Sequence, residues 1–346
     1  LYCKKGKGIS VMKLQFKHQK FQADAAKAVV DAFAGQPYLT PTYMMDRGSG
    51  TYQIGMEEEH DFTGWRNERI GGELSDVLIL EHLNKIQRAN QIAPSPKLEG
   101  RYNLTIEMET GVGKTYTYIK TMFELNKHYG WSKFIVVVPS IAIREGVYKS
   151  FQVTQDHFAE EYGKKIRFFI YNSAQLTEID RFASDSSINV MIINTQAFAA
   201  SLKEDGRSKE ARIIYSQRDE FASRRPIDVI AANHPIIIMD EPQKMGGEVT
   251  QKALRSFRPL FCLNYSATHA KQHNLVYVLD ALDAYNKRLV KRIEVKGFEV
   301  KNLRGTDHYL YMESILLSAK KPPMVRLELE IKYQKSVNRE FRVLGV

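Results

Sequence analysis

Between residues 101 and 268 the chain alternates short apolar runs with longer stretches in which apolar residues recur every three or four positions. The runs Asn103–Met108, Lys133–Val138, Lys165–Tyr171, Asn189–Asn194, His234–Asp240 and Leu260–Tyr265 predict β-strands. Several are apolar at successive positions, the mark of a strand buried on both faces. Helical spacing follows between them, beginning at Tyr116–Leu125. Alternating strand and helix predicts an α/β fold in which a parallel sheet carries flanking helices. Upstream, Phe21–Phe33 has helical spacing and stops at Gly35-Gln-Pro37, and Glu73–Asn90 is an amphipathic helix closed by Pro94-Ser-Pro96. Residues 38–72 mix Gly, Tyr and charge without a period and predict a mobile insertion. Residues 203–225, with Arg224 and Arg225, predict a polar surface excursion. After 269 the pattern changes: Leu289–Gly297 and Met324–Lys332 alternate apolar with charged residues, as half-exposed strands do. The chain thus divides into a helical lead-in with an insertion (1–100), an α/β lobe (101–270), and a linker with the start of a β-rich module (271–346).

The strongest chemical signal lies where the first strand of the lobe meets its helix, in Met108-Glu-Thr-Gly-Val-Gly-Lys-Thr115. A polyphosphate needs backbone N–H groups that converge on it unobstructed, and Gly111 and Gly113 allow that approach. Thr110 and Val112 complete the loop, and the helix that follows contributes unpaired N–H groups and the positive end of its dipole. Lys114 would reach the β- and γ-phosphates of ATP, and the Thr115 hydroxyl would ligate Mg²⁺. Met108 stands where such loops usually begin with Gly or Ala. The strand His234–Asp240 then delivers Asp240 and Glu241 to its C-terminal edge, where open α/β sheets bind ligands. Asp240 would hold Mg²⁺ through a water, and Glu241 would orient and deprotonate the attacking water. Lys114 and Glu241 are therefore the candidate catalytic pair. One strand later, Ser266-Ala-Thr268-His269 places small hydroxyls where they can sense a γ-phosphate.

In order and spacing, the loop, Asp240-Glu-Pro-Gln243 and Ser266-Ala-Thr-His269 resemble the Res subunit of type III restriction enzymes, which carries a superfamily 2 helicase-like motor. Val138-Pro-Ser-Ile-Ala-Ile-Arg-Glu-Gly146 and Asn274–Asn286 resemble further parts of that pattern. Phe21-Gln22-Ala-Asp-Ala-Ala-Lys-Ala-Val29 resembles the adenine-reading Q motif, with Gln22 as the reader. The resemblance implies a RecA-like P-loop NTPase lobe using ATP and Mg²⁺, with Gln243, Ser266 and Thr268 coupling nucleotide state to movement. It also implies double-stranded DNA as the track and a methyltransferase (Mod) subunit as the partner that reads the recognition site. In that family a second motor lobe, which supplies an arginine finger, and a nuclease follow the first lobe. DNA cleavage is expected of the parent enzyme and not of these residues.

Composition adds less. A chain of 346 residues can bury a large core, and a net charge of +10 with pI near 9.3 favours a polyanionic partner. Cys3 and Cys262 are too far apart for a metal motif and fit a reducing cytoplasm. No apolar stretch has membrane-spanning length, so no membrane partner is expected. The lysines at 4, 5, 7, 13, 17 and 20 are either a DNA-contacting arm or a solvated lead-in. Ser140 and Arg144 follow a strand and either touch DNA phosphates or form a helix cap with an exposed cation. Asn194, Thr195 and Gln196 allow the same two readings. His269 and His273 could share a helix face, but no acid or Cys completes a metal site with them. Glu294-Val-Lys296 and Glu330-Ile-Lys332 show the Glu-x-Lys spacing of metal-dependent nucleases, which alternating charge on a solvated strand also produces. A small-molecule kinase or other P-loop enzyme that does not act on nucleic acid is the alternative to a DNA motor.

Overall fold

The computed structural model describes residues 16–40, 42–44, 64–72, 74–100, 102–199, 209–219, 223–269, 271–291, 310–318, 321–332 and 337–345. Lys4, Lys5, Lys7, Lys13 and the Glu294–Lys296 pair lie outside them. By contacts the chain forms two units, Leu1–Arg292 and Ile293–Val346.

In chain order the first unit contains α1 (Lys20–Ala32), β1 (Thr42–Met44), β2 (Gly64–Arg66), α2 (Asp76–Ala89), β3 (Asn103–Met108), α3 (Lys114–Tyr129) and β4 (Lys133–Val138). It continues through α4 (Ile141–Tyr162), β5 (Ile166–Ile170), α5 (Thr177–Ser184), β6 (Ile188–Asn194), α6 (Lys209–Tyr215) and α7 (Pro226–Ala232). The last elements are β7 (Ile236–Asp240), α8 (Glu248–Arg255), β8 (Cys262–Ser266), β9 (Asn274–Leu279) and α9 (Ala281–Asn286). Seven strands form one sheet in the order β5-β6-β4-β7-β8-β3-β9, and every neighbouring pair is parallel.

The sheet is buried on both faces, as the continuous apolar runs require. Along β4, Phe134, Val136 and Val138 enter one core while Ile135 and Val137 enter the other. Helices α1 to α4 cover the first face and α5 to α8 the second. The expected strands between 103 and 266 are present, trimmed by a residue or two at their ends.

Four expectations change. The sheet does not end before residue 270: β9 pairs in parallel with β3 and becomes an edge strand, so the lobe continues to the end of α9. The strand expected over Leu289–Gly297 is irregular at 289–291, the part that is described. Residues 64–72, expected in a mobile insertion, are pinned to the sheet by Asn67, which is fully buried. Its Oδ1 accepts from the backbone N–H of Ser132 (2.7 Å) and Lys133 (2.9 Å). Its Nδ2 donates to the carbonyls of Lys133 (2.9 Å) and His234 (3.0 Å). One side chain thereby satisfies the chain leading into β4 and the residue preceding Pro235. The polar stretch 203–225 contributes α6, whose Ile213 and Ile214 are buried.

The second unit is a three-stranded antiparallel sheet of β10 (Leu310–Ser318), β11 (Lys321–Lys332) and β12 (Val337–Gly345). The alternating run Met324–Lys332 lies in β11, and Glu330 pairs with Arg339 of β12.

Replacing Asn67 with Ala strands several buried backbone groups at once, each costing roughly 1–3 kcal/mol. Urea denaturation of Asn67→Ala is expected to show a loss of about 3 kcal/mol or more. A loss below about 1 kcal/mol would mean that water replaces the amide and that residues 64–72 are not anchored by it.

Candidate functional site

Parallel strands bring their C-terminal ends to one edge, so the residues following β3, β4, β6, β7 and β8 meet there. The loop after β3 turns through left-handed backbone at Gly111 (φ +83°) and Gly113 (φ +92°) and enters α3 at Lys114. Gly113 is required by its φ, which disfavours any side chain, and a Cβ there would sit 2.7 Å from Gln22 Nε2 and displace that amide. Gln22 is buried on α1, and its Nε2 donates to the Val112 carbonyl at 3.2 Å. The glutamine thus braces the loop from outside the α/β alternation. Glu109 adds a local brace by accepting from Thr110 N at 2.6 Å.

Lys114 Nζ lies 3.2 Å from Glu241 Oε1 and 3.5 Å from the Met108 carbonyl. Glu241 adopts left-handed backbone (φ +61°, ψ +56°) just past β7, a conformation uncommon for a residue with a side chain. Its N–H donates to the Tyr265 carbonyl at 3.0 Å, which fixes the turn against β8. Gln243 Nε2 donates to Glu241 Oε2 at 2.5 Å. Ser266 Oγ lies 3.2 Å from Glu241 Oε2, 2.9 Å from Gln243 Oε1 and 2.7 Å from the Thr268 carbonyl, and it accepts from Thr268 N at 3.2 Å. A hydroxyl has one proton, so Ser266 can serve only one of those acceptors at a time. Glu241, Gln243, Ser266 and Thr268 therefore form one rearrangeable network across the ends of β7 and β8.

The two adjacent carboxylates have different electrostatics. Burial pushes Asp240 up to about 6, the Glu241 charge adds to this, and Lys114 opposes it. Burial also raises Glu241, but the Gln243 hydrogen bond and the Lys114 charge outweigh it and leave Glu241 below its ordinary value. Glu241 is thus ionised where Asp240 still carries a proton. Asp240 is met by the Tyr118 hydroxyl, 3.5 Å from its Oδ2. Thr115 is the second residue of α3, directly after Lys114, and its hydroxyl and the Asp240 carboxylate are hard oxygen donors of the kind that could hold Mg²⁺.

At the neighbouring strand ends, Ser140 caps α4 by accepting from Ile143 N at 3.4 Å. Arg144 Nη1 donates to Asn194 Oδ1 at 3.1 Å, and its Nη2 pairs with Glu145 at 2.9 Å. Thr195 Oγ1 donates to the Pro139 carbonyl at 3.4 Å, while Gln196 is exposed. These five residues follow β4 and β6 at the same edge as the loop, and the Arg144–Asn194 and Thr195–Pro139 bonds tie the two strand ends together. His269 and His273 do not share a helix face: they lie between β8 and β9, and His273 pairs with Glu99 at 2.8 Å.

Residues that sequence reading passed over line the outer wall of the loop. Tyr116 on α3 bonds His157 of α4 (2.7 Å), and the Phe16 ring stands 6.0 Å from Tyr116 and 5.3 Å from His157. Tyr116 lies two places after Lys114, and that proximity was the available signal. Among the described residues, His18, His157 and Glu161 are also close enough to share a metal ion. Lys120 already neutralises that glutamate at 2.5 Å.

A left-handed glycine loop between a strand and a helix, with its lysine facing an acidic pair on a parallel sheet edge, defines a RecA-like P-loop NTPase lobe. The family described as "Type III restriction enzyme, res subunit" matches residues 17–271. The chain belongs to the Res-subunit family of type III restriction enzymes. It is 31% identical over 241 residues to the EcoP15I Res subunit of Escherichia coli, covering 64% of this chain and 24% of that one. The EcoPI Res subunit of Escherichia phage P1 gives the same identity and coverage. The chain therefore spans about a quarter of the length of these curated relatives. Among solved structures, a nuclease-deletion mutant of the type ISP restriction-modification enzyme LlaGI with a DNA substrate mimic aligns at TM-score 0.35 and 12% identity, covering 63% of this chain and 21% of that one. The SWI2/SNF2 ATPase core of Sulfolobus solfataricus with double-stranded DNA aligns at TM-score 0.31 and 12% identity, covering 57% and 32%. The family assignment rests on the sequence matches. No helix among the described residues is long and apolar enough to cross a membrane.

Asp240 has a folded value of about 6 against an ordinary 3.8, so the folded state binds its proton more tightly than the unfolded state does. Its contribution to stability is fully present below 3.8 and is lost as pH rises to about 6. Without nucleotide or divalent cation, Asp240→Asn is expected to stabilise the protein at pH 7.5 by about 1–3 kcal/mol, with the gain vanishing toward pH 4. Urea midpoints at the two pH values measure this. A variant less stable than the parent at pH 7.5 would contradict the electrostatic account.

Proposed function

We propose that the chain binds ATP–Mg²⁺ on the loop Thr110–Thr115 and hydrolyses it to drive movement along double-stranded DNA, within a larger restriction enzyme that works with a Mod subunit. The observation that carries this reading is the Lys114–Glu241 ion pair beside Asp240, on a loop braced by Gln22. Gly111, Val112 and Gly113 would present their backbone to the phosphates, and Gln22, which braces the loop through the Val112 carbonyl, would read the adenine edge. Phe16 and Tyr116 offer aromatic surface beside it. Thr115 and Asp240 would hold Mg²⁺, which neutralises charge on the β- and γ-phosphates. A γ-phosphate competes for Lys114 and draws it from Glu241. Glu241 then loses the cation that depresses its pKa and becomes a better base for the attacking water. The Gln243–Ser266–Thr268 network shares Glu241, so loss of the γ-phosphate is felt at the ends of β7 and β8. Ser140, Arg144, Asn194, Thr195 and Gln196 form the edge that would follow DNA phosphates.

Two tests follow from this assignment. Lys114→Ala is expected to abolish binding of a fluorescent ATP analogue. Glu241→Gln is expected to keep that binding and lower turnover on the order of 10²–10⁴-fold. Equal loss of binding in both variants would show that Glu241 is structural.

DNA binding is expected to be weak and sequence-independent, with a dissociation constant around 10⁻⁴–10⁻⁶ M at physiological salt that weakens steeply as salt rises. Anisotropy with two unrelated duplexes across a salt series measures it. Tight binding to one duplex with little salt response would point to a sequence-specific module. No binding at low salt would favour a P-loop enzyme acting on small molecules.

A further inference from the structure

Tyr118 is fully buried on α3, four residues past Lys114, and the nucleotide chemistry above leaves it without a role. Its hydroxyl faces one of the two side chains proposed for Mg²⁺, and its residue shares a helix face with the other. It stands 3.5 Å from Asp240 Oδ2 as donor, and Thr115 lies three residues before it on α3. The Tyr118 ring is held independently, packed edge-on against Tyr265 at 5.6 Å. Tyr265 in turn pairs its hydroxyl with Thr121 at 2.9 Å, so it does not compete for Asp240.

This placement meets a specific need. A threonine that ligates a cation does so through an oxygen lone pair, so its proton must point away from the ion toward an acceptor. Asp240, if it is to hold the ion through a water, must present one oxygen outward and keep the other occupied. A phenol is both donor and acceptor and can satisfy both residues at once.

We propose that Tyr118 is a positioning residue for the divalent cation: Thr115 donates to the Tyr118 oxygen and Tyr118 donates to Asp240 Oδ2, so that one buried hydroxyl aims both ligands. The inference rests on the ATP–Mg²⁺ reading of this site. The second contact is long for a hydrogen bond, and such contacts tighten when the ligand enters. Burial pushes the phenol well above its ordinary range, so it remains a donor at any working pH.

The test separates aiming from packing. Tyr118→Phe keeps the ring and removes only the hydroxyl. Binding of a fluorescent ADP analogue is titrated with Mg²⁺, and again in EDTA. Outer ligands of this kind commonly alter metal affinity by 10–100-fold, so the half-saturating Mg²⁺ concentration is expected to rise on the order of 10-fold. Nucleotide affinity in EDTA should be unchanged, and Tyr265→Phe should leave the Mg²⁺ requirement at the parental value. A hydroxyl-free variant with a parental Mg²⁺ requirement overturns the proposal, whatever its melting temperature. Asp240→Asn distinguishes the two levels. If it raises the Mg²⁺ requirement while Tyr118→Phe does not, this inference fails and the ATP–Mg²⁺ reading stands. If neither does, that reading fails and takes the inference with it.

Discussion

A sheet buried on both faces has no place for an ionised group except at the ends of its strands, and this constraint organises the whole lobe. Residues Phe134 to Val138 and Ile236 to Met239 are apolar at every position because helices cover both sides of β4 and β7. Along β7 charge is excluded until Asp240 and Glu241, where the strand runs out. Because all seven strands are parallel, the same boundary is reached together by β3, β7 and β8. Lys114 meets Glu241 there, although 127 positions separate them in the sequence (241 − 114).

The other end of the sheet obeys the same rule with the opposite solution. Lys133 begins β4 and is fully buried, with Nζ bonded to the carbonyls of Phe182 and Asp185 near the end of α5. Burial draws its pKa down to about 7. No carboxylate oxygen bonds it: two carbonyls at a helix C-terminus take the cation, where the dipole favours positive charge. Asn67 performs the neutral version of this task beside it. The base of the sheet is therefore closed by bonds to backbone groups, while the opposite edge is closed by the Lys114–Glu241 ion pair, which on the proposed ATP reading a phosphate would open.

How far the sequence is legible follows from the range of the forces involved. The strands from Asn103 to Ser266 are legible because burial on two faces writes itself into consecutive residues. The phosphate loop is legible because its geometry is local: two left-handed glycines, a lysine and a hydroxyl within eight positions. β9 is harder to read, since as an edge strand it need not be uniformly apolar and Asn274–Asn286 reads equally well as a linker. Asn67 is not legible at all, because its partners lie 65 to 167 positions away and a polar residue in a Gly-rich stretch carries no mark of burial. Gln22 was legible only through family resemblance. Its physical role, donating to Val112 and occupying the space a Cβ on Gly113 would need, is visible only in three dimensions. The sequence leaves Arg144 and Asn194 open between phosphate contacts and helix-end residues, and only the structure shows that they are partners of one another.

That last pairing and the Lys114–Glu241 pair have a common logic. In each, a cation proposed to meet phosphate is matched within the protein by a side-chain acceptor from a neighbouring strand end, and each pair is largely withdrawn from water: the side chains of Lys114 and Arg144 are 11% and 20% exposed, and Asn194 is buried. Removing a partner from a buried charge costs several kcal/mol, so a cation left alone at this edge would destabilise the lobe. Matching it to an internal acceptor lowers that cost and turns ligand entry into an exchange of partners. The exchange weakens binding by whatever the internal pair is worth, but it also releases the acceptor. Under the proposed ATP reading, the acceptor that Lys114 would release is Glu241, the group proposed to act on water, so one ammonium group would couple occupancy of the phosphate site to the basicity of that carboxylate. For Arg144 the corresponding acceptor is Asn194, at the end of β6. Internal pairing at the sheet edge thus satisfies both cations in the ligand-free protein, and on that reading it would also link ligand entry to chemistry.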